Sequence, residues 1–335
     1  MTSPLDSRAR TIASDTTTGT GTVQLGDTGI GVFPLCLGGN VFGWTADEQA
    51  SHAVLDAYLA AGGNLVDTAD VYSAWVDGNA GGESETIVGR WLAARGAHGA
   101  VHVATKTGML PGADLSRSSV HAALDASLKR LQMDTVELYY AHRDEETRPV
   151  AEIVDTFAAT VTDGRARAWA VSNWSAERIT AAVAIAREAG VPGPVAVQNE
   201  GNAVARTDPG VVEAADAAGM LQLPYSTLAS GFLTGKYSRD GATPDSQRAG
   251  SVKKLMTDSG WAVLDAVRAV ADARGVAVGS IALAWLRSQG TVPIASARTV
   301  AQMPDLIAGV SVELSGDEVA SITAAGVRAA DTSAN

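Results

Sequence analysis

Scarcity is informative in this chain. Only one cysteine, Cys36, occurs in 335 residues, so no intrachain disulfide can form. Its setting, the apolar run Phe33-Pro34-Leu35-Cys36-Leu37, suits a small buried hydrophobe better than a nucleophile. Histidines number five. No HExxH, CxxC or Gly-x-Ser-x-Gly spacing is present, which leaves metal-dependent and covalent hydrolases without a motif. Basic residues are outnumbered 25 to 37, for a net charge of −12. That balance argues against nucleic acid and against an anionic membrane as partners. It leaves room for an anionic cofactor, which a few Arg, Lys and backbone N–H groups can hold locally. No apolar run approaches the ~18 residues of a membrane span. The N-terminus is polar, without the apolar core of a signal peptide. The expected location is cytoplasmic, and the composition is that of a soluble globular protein.

What is present is a rhythm. Residues 1–22, rich in Thr, Ser and Gly, read as a flexible tail. From residue 23 to 335 the chain reads as one domain, in which short apolar runs alternate with helical stretches. The runs are Leu35–Gly38, Asn64–Asp67, Val101–Lys106, Val136–His142, Ala168–Ser172, Val195–Gln198, Leu221–Tyr225 and Val292–Ala295. They are apolar on successive residues, as in parallel strands covered on both faces. Helical spacing appears in Val120, Leu124, Leu128 and Leu131, in Val150, Ile153, Val154, Phe157 and Val161, and in Trp261, Leu264, Val267 and Ala271. About eight such units predict an α/β fold, a (β/α)8 TIM barrel, with an open doubly wound sheet as the alternative. The longest irregular segment, Leu228 to Lys254, follows the seventh run and has the length of a functional loop.

A barrel of this kind carries its active site at the C-terminal ends of the strands. Asp67, Lys106 and His142 end the second, third and fourth runs, and Tyr72 follows Asp67 in the next loop. Singly, each has an ordinary explanation as a turn residue, a snorkelling lysine or a structural histidine. Jointly they make an acid. A lysine ammonium beside Tyr72 is expected to lower the tyrosine's pKa, with Asp67 holding the ammonium and His142 orienting a carbonyl. An acid without a nucleophile suits carbonyl reduction by a hydride-carrying cofactor. A hydrolase or isomerase using Asp67 and Asp70 as paired carboxylates is the alternative chemistry.

The nearest approach to GxGxxG, Gly29-Ile30-Gly31-Val32-Phe33-Pro34, lacks the third glycine and precedes a strand, which disfavours a Rossmann site. Two later segments suit phosphate: Tyr225-Ser226 leading into Ser230-Gly231-Phe232-Leu233-Thr234-Gly235-Lys236, and Ala295-Ser296-Ala297-Arg298 before a helix near 300–308. Both also read as an ordinary glycine-rich loop and a solvated arginine.

The chain resembles the aldo-keto reductases from about Val23 to Ala325. The resemblance rests on Val66-Asp67-Thr68-Ala69-Asp70-Val71-Tyr72, Gly81-Gly82-Glu83-Ser84-Glu85, Ala104-Thr105-Lys106, Leu138-Tyr139-Tyr140-Ala141-His142, Val171-Ser172-Asn173-Trp174 and Gly231-Phe232-Leu233-Thr234-Gly235-Lys236. It implies a catalytic tetrad of Asp67, Tyr72, Lys106 and His142 in an active oxidoreductase that takes a small carbonyl substrate. It implies nicotinamide contacts from Ser172, Asn173 and Gln198, ring stacking on Tyr225, and nearby backbone contacts from Gly39 and Asn40. Pyrophosphate would meet Ser226, Leu228, Gly231, Leu233 and Lys236; the adenosine phosphate would meet Ser296, Arg298, Gln302 and Asp305. Arg298 makes NADPH the expected cofactor over NADH. Two places depart from the family pattern: Asp305-Leu306 replaces an expected Glu-Asn, and Asn199-Glu200-Gly201-Asn202 follows Gln198. Phe42, Trp44, Trp75 and Trp174 are the expected substrate-pocket walls. The family also implies an alternative role, a cofactor-binding regulatory subunit with little turnover.

Overall fold

A computed structural model describes residues 21–239, 241 and 249–327. Most of the expected N-terminal tail therefore lies outside the described residues. The first elements are two short antiparallel strands, β1 (Val23–Gln24) and β2 (Gly31–Val32). At two residues each they are too brief to show any periodicity. Leu25 and Val32 are fully buried against Cys36, Leu65, Leu138 and Leu221, so the hairpin packs onto the barrel interior.

Eight parallel strands follow: β3 (Cys36–Gly38), β4 (Leu65–Asp67), β5 (His102–Thr107), β6 (Val136–Ala141), β7 (Ala166–Ser172), β8 (Pro194–Gln198), β9 (Leu221–Gln222) and β10 (Ile294–Ala295). Each pairs with its neighbour in sequence, and β10 pairs with β3. The remaining gap is bridged by the amides of Val292 and Ile294, which donate to the carbonyls of Gln222 and Pro224 at 2.9 and 3.0 Å. The sheet thus closes on itself as a (β/α)8 barrel, and the open-sheet alternative falls away. Leu138, Tyr140, Ala168 and Ala170 belong to the interior cluster. Tyr139, Ala141, Trp169 and Val171 belong to the cluster shared with the helices. Two buried faces explain why the runs are apolar without alternation.

The helices are α1 (Glu48–Ala60), α2 (Glu83–Arg95), α3 (Arg117–Leu131), α4 (Val150–Thr162), α5 (Ala176–Ala189), α6 (Pro209–Ala217), α7 (Ala249–Lys253), α8 (Asp258–Arg274), α9 (Val278–Ser288), α10 (Met303–Ser311) and α11 (Gly316–Val327). Side chains of Asp47, Ser116, Ser175, Asp208 and Thr257 accept amide hydrogen bonds at helix starts, satisfying donors that have no partner within the helix. The long segment after β9 carries regular structure among its described residues. It holds a 3-10 stretch at Ala229–Thr234 as well as α7. Likewise, the expected helix near 300–308 is a 3-10 turn, Val300–Gln302, running into α10. Among the described residues no single helix is long and apolar enough to cross a membrane.

Candidate active site

Strand register brings Asp67, Lys106 and His142 to one end of the barrel. Asp67 is the last residue of β4, Lys106 the penultimate residue of β5, and His142 follows β6. Lys106 is fully buried, a costly place for an ammonium. Its three protons are all used: Nζ donates to the Asp67 carboxylate at 2.7 Å, to the Thr68 carbonyl at 2.7 Å and to the Tyr72 hydroxyl at 2.8 Å. Tyr72 in turn donates to Asp67 Oδ2 at 3.0 Å. Gln198 Nε2 donates to the other oxygen, Oδ1, at 2.9 Å. The ring of His142 stands edge-on to Tyr72, with centroids 5.9 Å apart, and its Nδ1 is buried with no protein partner.

The electrostatics correct one expectation. Tyr72 lies well above the ordinary phenol range, first because of burial and next because of the Asp67 carboxylate. Part of its ring borders the cleft, but the hydroxyl itself contacts the buried Asp67 and Lys106. Desolvation and the adjacent anion outweigh the ammonium, so the phenol keeps its proton at neutral pH. Burial also lowers Lys106, against the opposing pull of Asp67. His142 is held well below its usual value by burial and then by Lys106, which keeps the imidazole neutral.

A cleft of about 430 Å³ opens over these groups. Asn40, Trp44, Asp67, Tyr72, His142, Ser172, Asn173, Gln198, Tyr225, Ser226, Leu228, Gly231, Lys236, Ser296, Arg298 and Gln302 line it. Lys106 and Gly39 sit immediately behind the wall. The Gly39 amide donates to the Asp67 carbonyl at 2.7 Å, and its carbonyl accepts from Ser84 Oγ at 2.8 Å. Leu233 is buried in the second apolar cluster, and Asp305 is an exposed residue of the first turn of α10. Of the aromatic residues expected to form the pocket, Trp44 faces the cleft. Trp75 is 50% exposed and packs edge-on against Trp44 and Tyr72. Phe42 and Trp174 do not line it: both are buried in the core cluster, because their loops turn the rings inward between strand ends and helices. Asp70 is buried as well and does not border the cleft.

Several contributors went unmarked by sequence. Val41, Thr45 and Met109 line the mouth, and Gly38 lies at the base, where a Cβ would come within 2.6 Å of Ser296 Oγ. The Gly81–Glu85 motif acquires a role: Ser84 links the Thr68 hydroxyl at 2.8 Å to the Gly39 carbonyl. Glu85, fully buried, accepts from Thr105 Oγ1 at 2.5 Å and Arg130 Nε at 2.6 Å. Five non-glycine residues in the loops at this end hold left-handed φ: Ser73, Asn173, Ser226, Ala229 and Ser230. Such backbone strain concentrates at functional sites.

These features fit a dinucleotide. Asp67 is the only carboxylate among the described residues of the cleft wall, and Lys106 neutralises it. Lys236 and Arg298 supply positive charge at the wall. For Arg298, no carboxylate lies within ion-pair distance among the described residues. At Gly38 and Gly39 the backbone approaches neighbours too closely for a side chain. The left-handed turns at Ser226 and Ser230 bend the adjoining loop.

Comparison with known proteins gives concordant results. The sequence model of the aldo/keto reductase family matches residues 34–326. A probable voltage-gated potassium channel subunit beta from Oryza sativa subsp. japonica is 33% identical over 282 residues, covering 80% of this chain and 84% of that protein. Protein tas of Escherichia coli (strain K12) is 31% identical over 325 residues, covering 88% and 94%. Among solved structures, a glycerol dehydrogenase from Gluconobacter oxydans superposes with a TM-score of 0.78 at 27% identity, covering 92% of this chain and 95% of that one.

Proposed function

The chain belongs to the aldo/keto reductase family, and as such is an NAD(P)H-dependent oxidoreductase of carbonyl compounds; from that premise we propose that it reduces an aldehyde or ketone with NADPH, using Tyr72 as the proton donor. The observation that carries the reading is the hydrogen-bonded chain Asp67–Lys106–Tyr72 at the floor of a cleft with cationic groups on its wall.

When bound, NADPH supplies the hydride to the carbonyl carbon. Ser172, Asn173, Gln198 and Tyr225 would hold its nicotinamide end, Ser226, Gly231 and Lys236 its pyrophosphate, and Ser296, Arg298 and Gln302 its adenosine phosphate. The neutral His142 orients the carbonyl oxygen beside Tyr72. The Tyr72 hydroxyl, protonated at rest, turns from Asp67 Oδ2 and gives its proton to that oxygen. The Lys106 ammonium, 2.8 Å away, stabilises the phenolate left behind, so its acidifying influence is exerted as charge develops.

Fluorescence titration with NADPH and NADH, followed by absorbance assays on a panel of aldehydes and ketones, tests this reading. Tyr72→Phe should lower kcat by about 10²–10⁴-fold while nucleotide binding persists. Normal turnover by that variant would remove Tyr72 from the mechanism. The similarity to the rice channel subunit supports a second reading, a regulatory subunit that binds cofactor. Negligible turnover across the panel, with tight nucleotide binding intact, would favour it.

A further inference from the structure

The loop after β8 contains two asparagines whose side chains hold residues of the cleft wall. Asn199 Oδ1 accepts from the backbone N–H of Asn173 at 2.7 Å, and its Nδ2 donates to the Trp174 carbonyl at 2.9 Å. Asn202 Oδ1 accepts from the amides of Val204 and Ala205 at 2.9 and 2.8 Å, which fixes its own loop. Its Nδ2 donates to the Ser226 carbonyl at 3.1 Å. The residues they hold are not ordinary. Asn173 and Ser226 have φ of 60° and 55°, left-handed values that asparagine tolerates and that serine adopts far less readily. Asn173 is also the hub of the nicotinamide end: its Nδ2 donates to the His142 carbonyl at 2.9 Å and to Ser172 Oγ at 3.1 Å, and its Oδ1 accepts from the Tyr225 hydroxyl at 2.8 Å.

We infer that Asn199 and Asn202 are positioning residues for the cofactor, which brace Asn173 and Ser226 from behind and hold the nicotinamide cradle in its strained, ligand-ready form. Neither needs to touch the cofactor. A side-chain amide suits the task because it accepts with one atom and donates with the other, joining two backbone groups at once. Preorganisation of this kind lowers the cost of ordering the site on binding. A second cavity, of about 130 Å³, lies on the far side of both side chains, bounded also by Pro224, Trp285 and Gln289. The side-chain hydrogen bonds therefore act together with the backbone bonds from Gly201 to the Tyr225 carbonyl and from Tyr225 to the Asn199 carbonyl, 3.1 Å each, in holding the loop.

The inference rests on the cofactor reading above, and its test separates the two. Asn199→Leu keeps the volume and removes both hydrogen bonds. Hydrogen exchange without nucleotide should speed up at the Asn173 amide, which is then left with its longer 3.2 Å bond to the Gln198 carbonyl, and stay unchanged in β5. The dissociation constant for NADPH should rise about tenfold, the equivalent of one or two lost hydrogen bonds. Under saturating NADPH, kcat should stay within about threefold, since the Asp67–Lys106–Tyr72 chain is untouched. Asn199→Asp retains the acceptor toward Asn173, and at high salt, which screens the added charge, it should restore most of the exchange protection. Unchanged exchange at Asn173 in Asn199→Leu, or an NADPH dissociation constant within twofold of the parent, would overturn the brace. Failure of the parent protein to bind either nucleotide would instead overturn the cofactor reading, while the exchange result would still decide whether Asn199 holds Asn173.

Discussion

At the scale of single residues, Asp70 is the most anomalous side chain. It is buried, and burial raises its pKa from 3.8 to about 6, with the Thr107 hydroxyl opposing and Glu85 adding to the shift. The folded protein therefore binds this proton more tightly than the unfolded chain does. Stability should fall as pH rises from about 4 to 6, and the deficit should be fully present above 6. Two units correspond to about 3 kcal/mol at most. Asp70→Asn removes the ionisation, so it should gain about 2–3 kcal/mol at pH 8 and little or nothing at pH 4. Urea denaturation at the two pH values measures both, and equal effects would show that Asp70 does not titrate in this range. Tyr72, two residues on, is shifted in the same direction, by burial and then by the Asp67 carboxylate, and its retained proton is the one the proposed reaction uses.

At the scale of elements, the helices owe their placement to close approaches as much as to apolar stripes. α2 meets the end of α3 at Gly89, where a Cβ would run into the Arg130 carbonyl and lie 2.7 Å from Leu131 Cα. The same junction carries the Glu85–Arg130 ion pair, which ties α2 to α3, and Glu85 also reaches Thr105 on β5, next to Lys106. Gly89→Ala should push the helices apart at a cost of about 1–3 kcal/mol. Gly316→Ala, at the first residue of α11 where nothing lies within 4 Å, should be neutral or stabilise by up to about 1 kcal/mol. Thermal unfolding of the pair is the check, and similar midpoints for both would contradict the packing argument.

For the molecule as a whole, the decisive feature is that a strongly acidic chain places Lys236 and Arg298 on the wall of its cleft. The cleft draws on loops after β3, β4, β5, β6, β7, β9 and β10, so a dinucleotide lying in it would cross-link loops distant in sequence. A hundredfold excess over Kd should stabilise the fold by about 2.7 kcal/mol, visible as a rise in Tm. With Arg298 as the phosphate contact, NADPH should raise Tm more than NADH at equal concentration, and Arg298→Ala should abolish the difference. Equal shifts in the parent protein would remove Arg298 from cofactor selection.

Barrel strands, the helices at Arg117–Leu131, Val150–Thr162 and Asp258–Arg274, and the four polar groups at the strand ends are legible in the sequence because they depend on short-range physics: continuous apolar runs, helical spacing, and the residue that ends each run. β1 and β2 leave no mark in the sequence because two residues carry no period. Phe42 and Trp174 have the sequence position of pocket walls because their loops follow strands, whereas burial is a property of what packs around a ring.

Sequence by itself thus determined the barrel and the identity of the Asp67, Tyr72, Lys106 and His142 group. Tertiary structure alone decided its electrostatics. Gln198 meets Asp67 across 131 positions and Ser296 meets Asn40 across 256, contacts that exist only once the barrel has closed. Closure also desolvates Tyr72 beside a carboxylate, which reversed the expected direction of its pKa. It places Asn199 and Asn202 under the strained residues they hold. No local pattern encodes either outcome, because desolvation and long-range pairing are properties of the assembled ring.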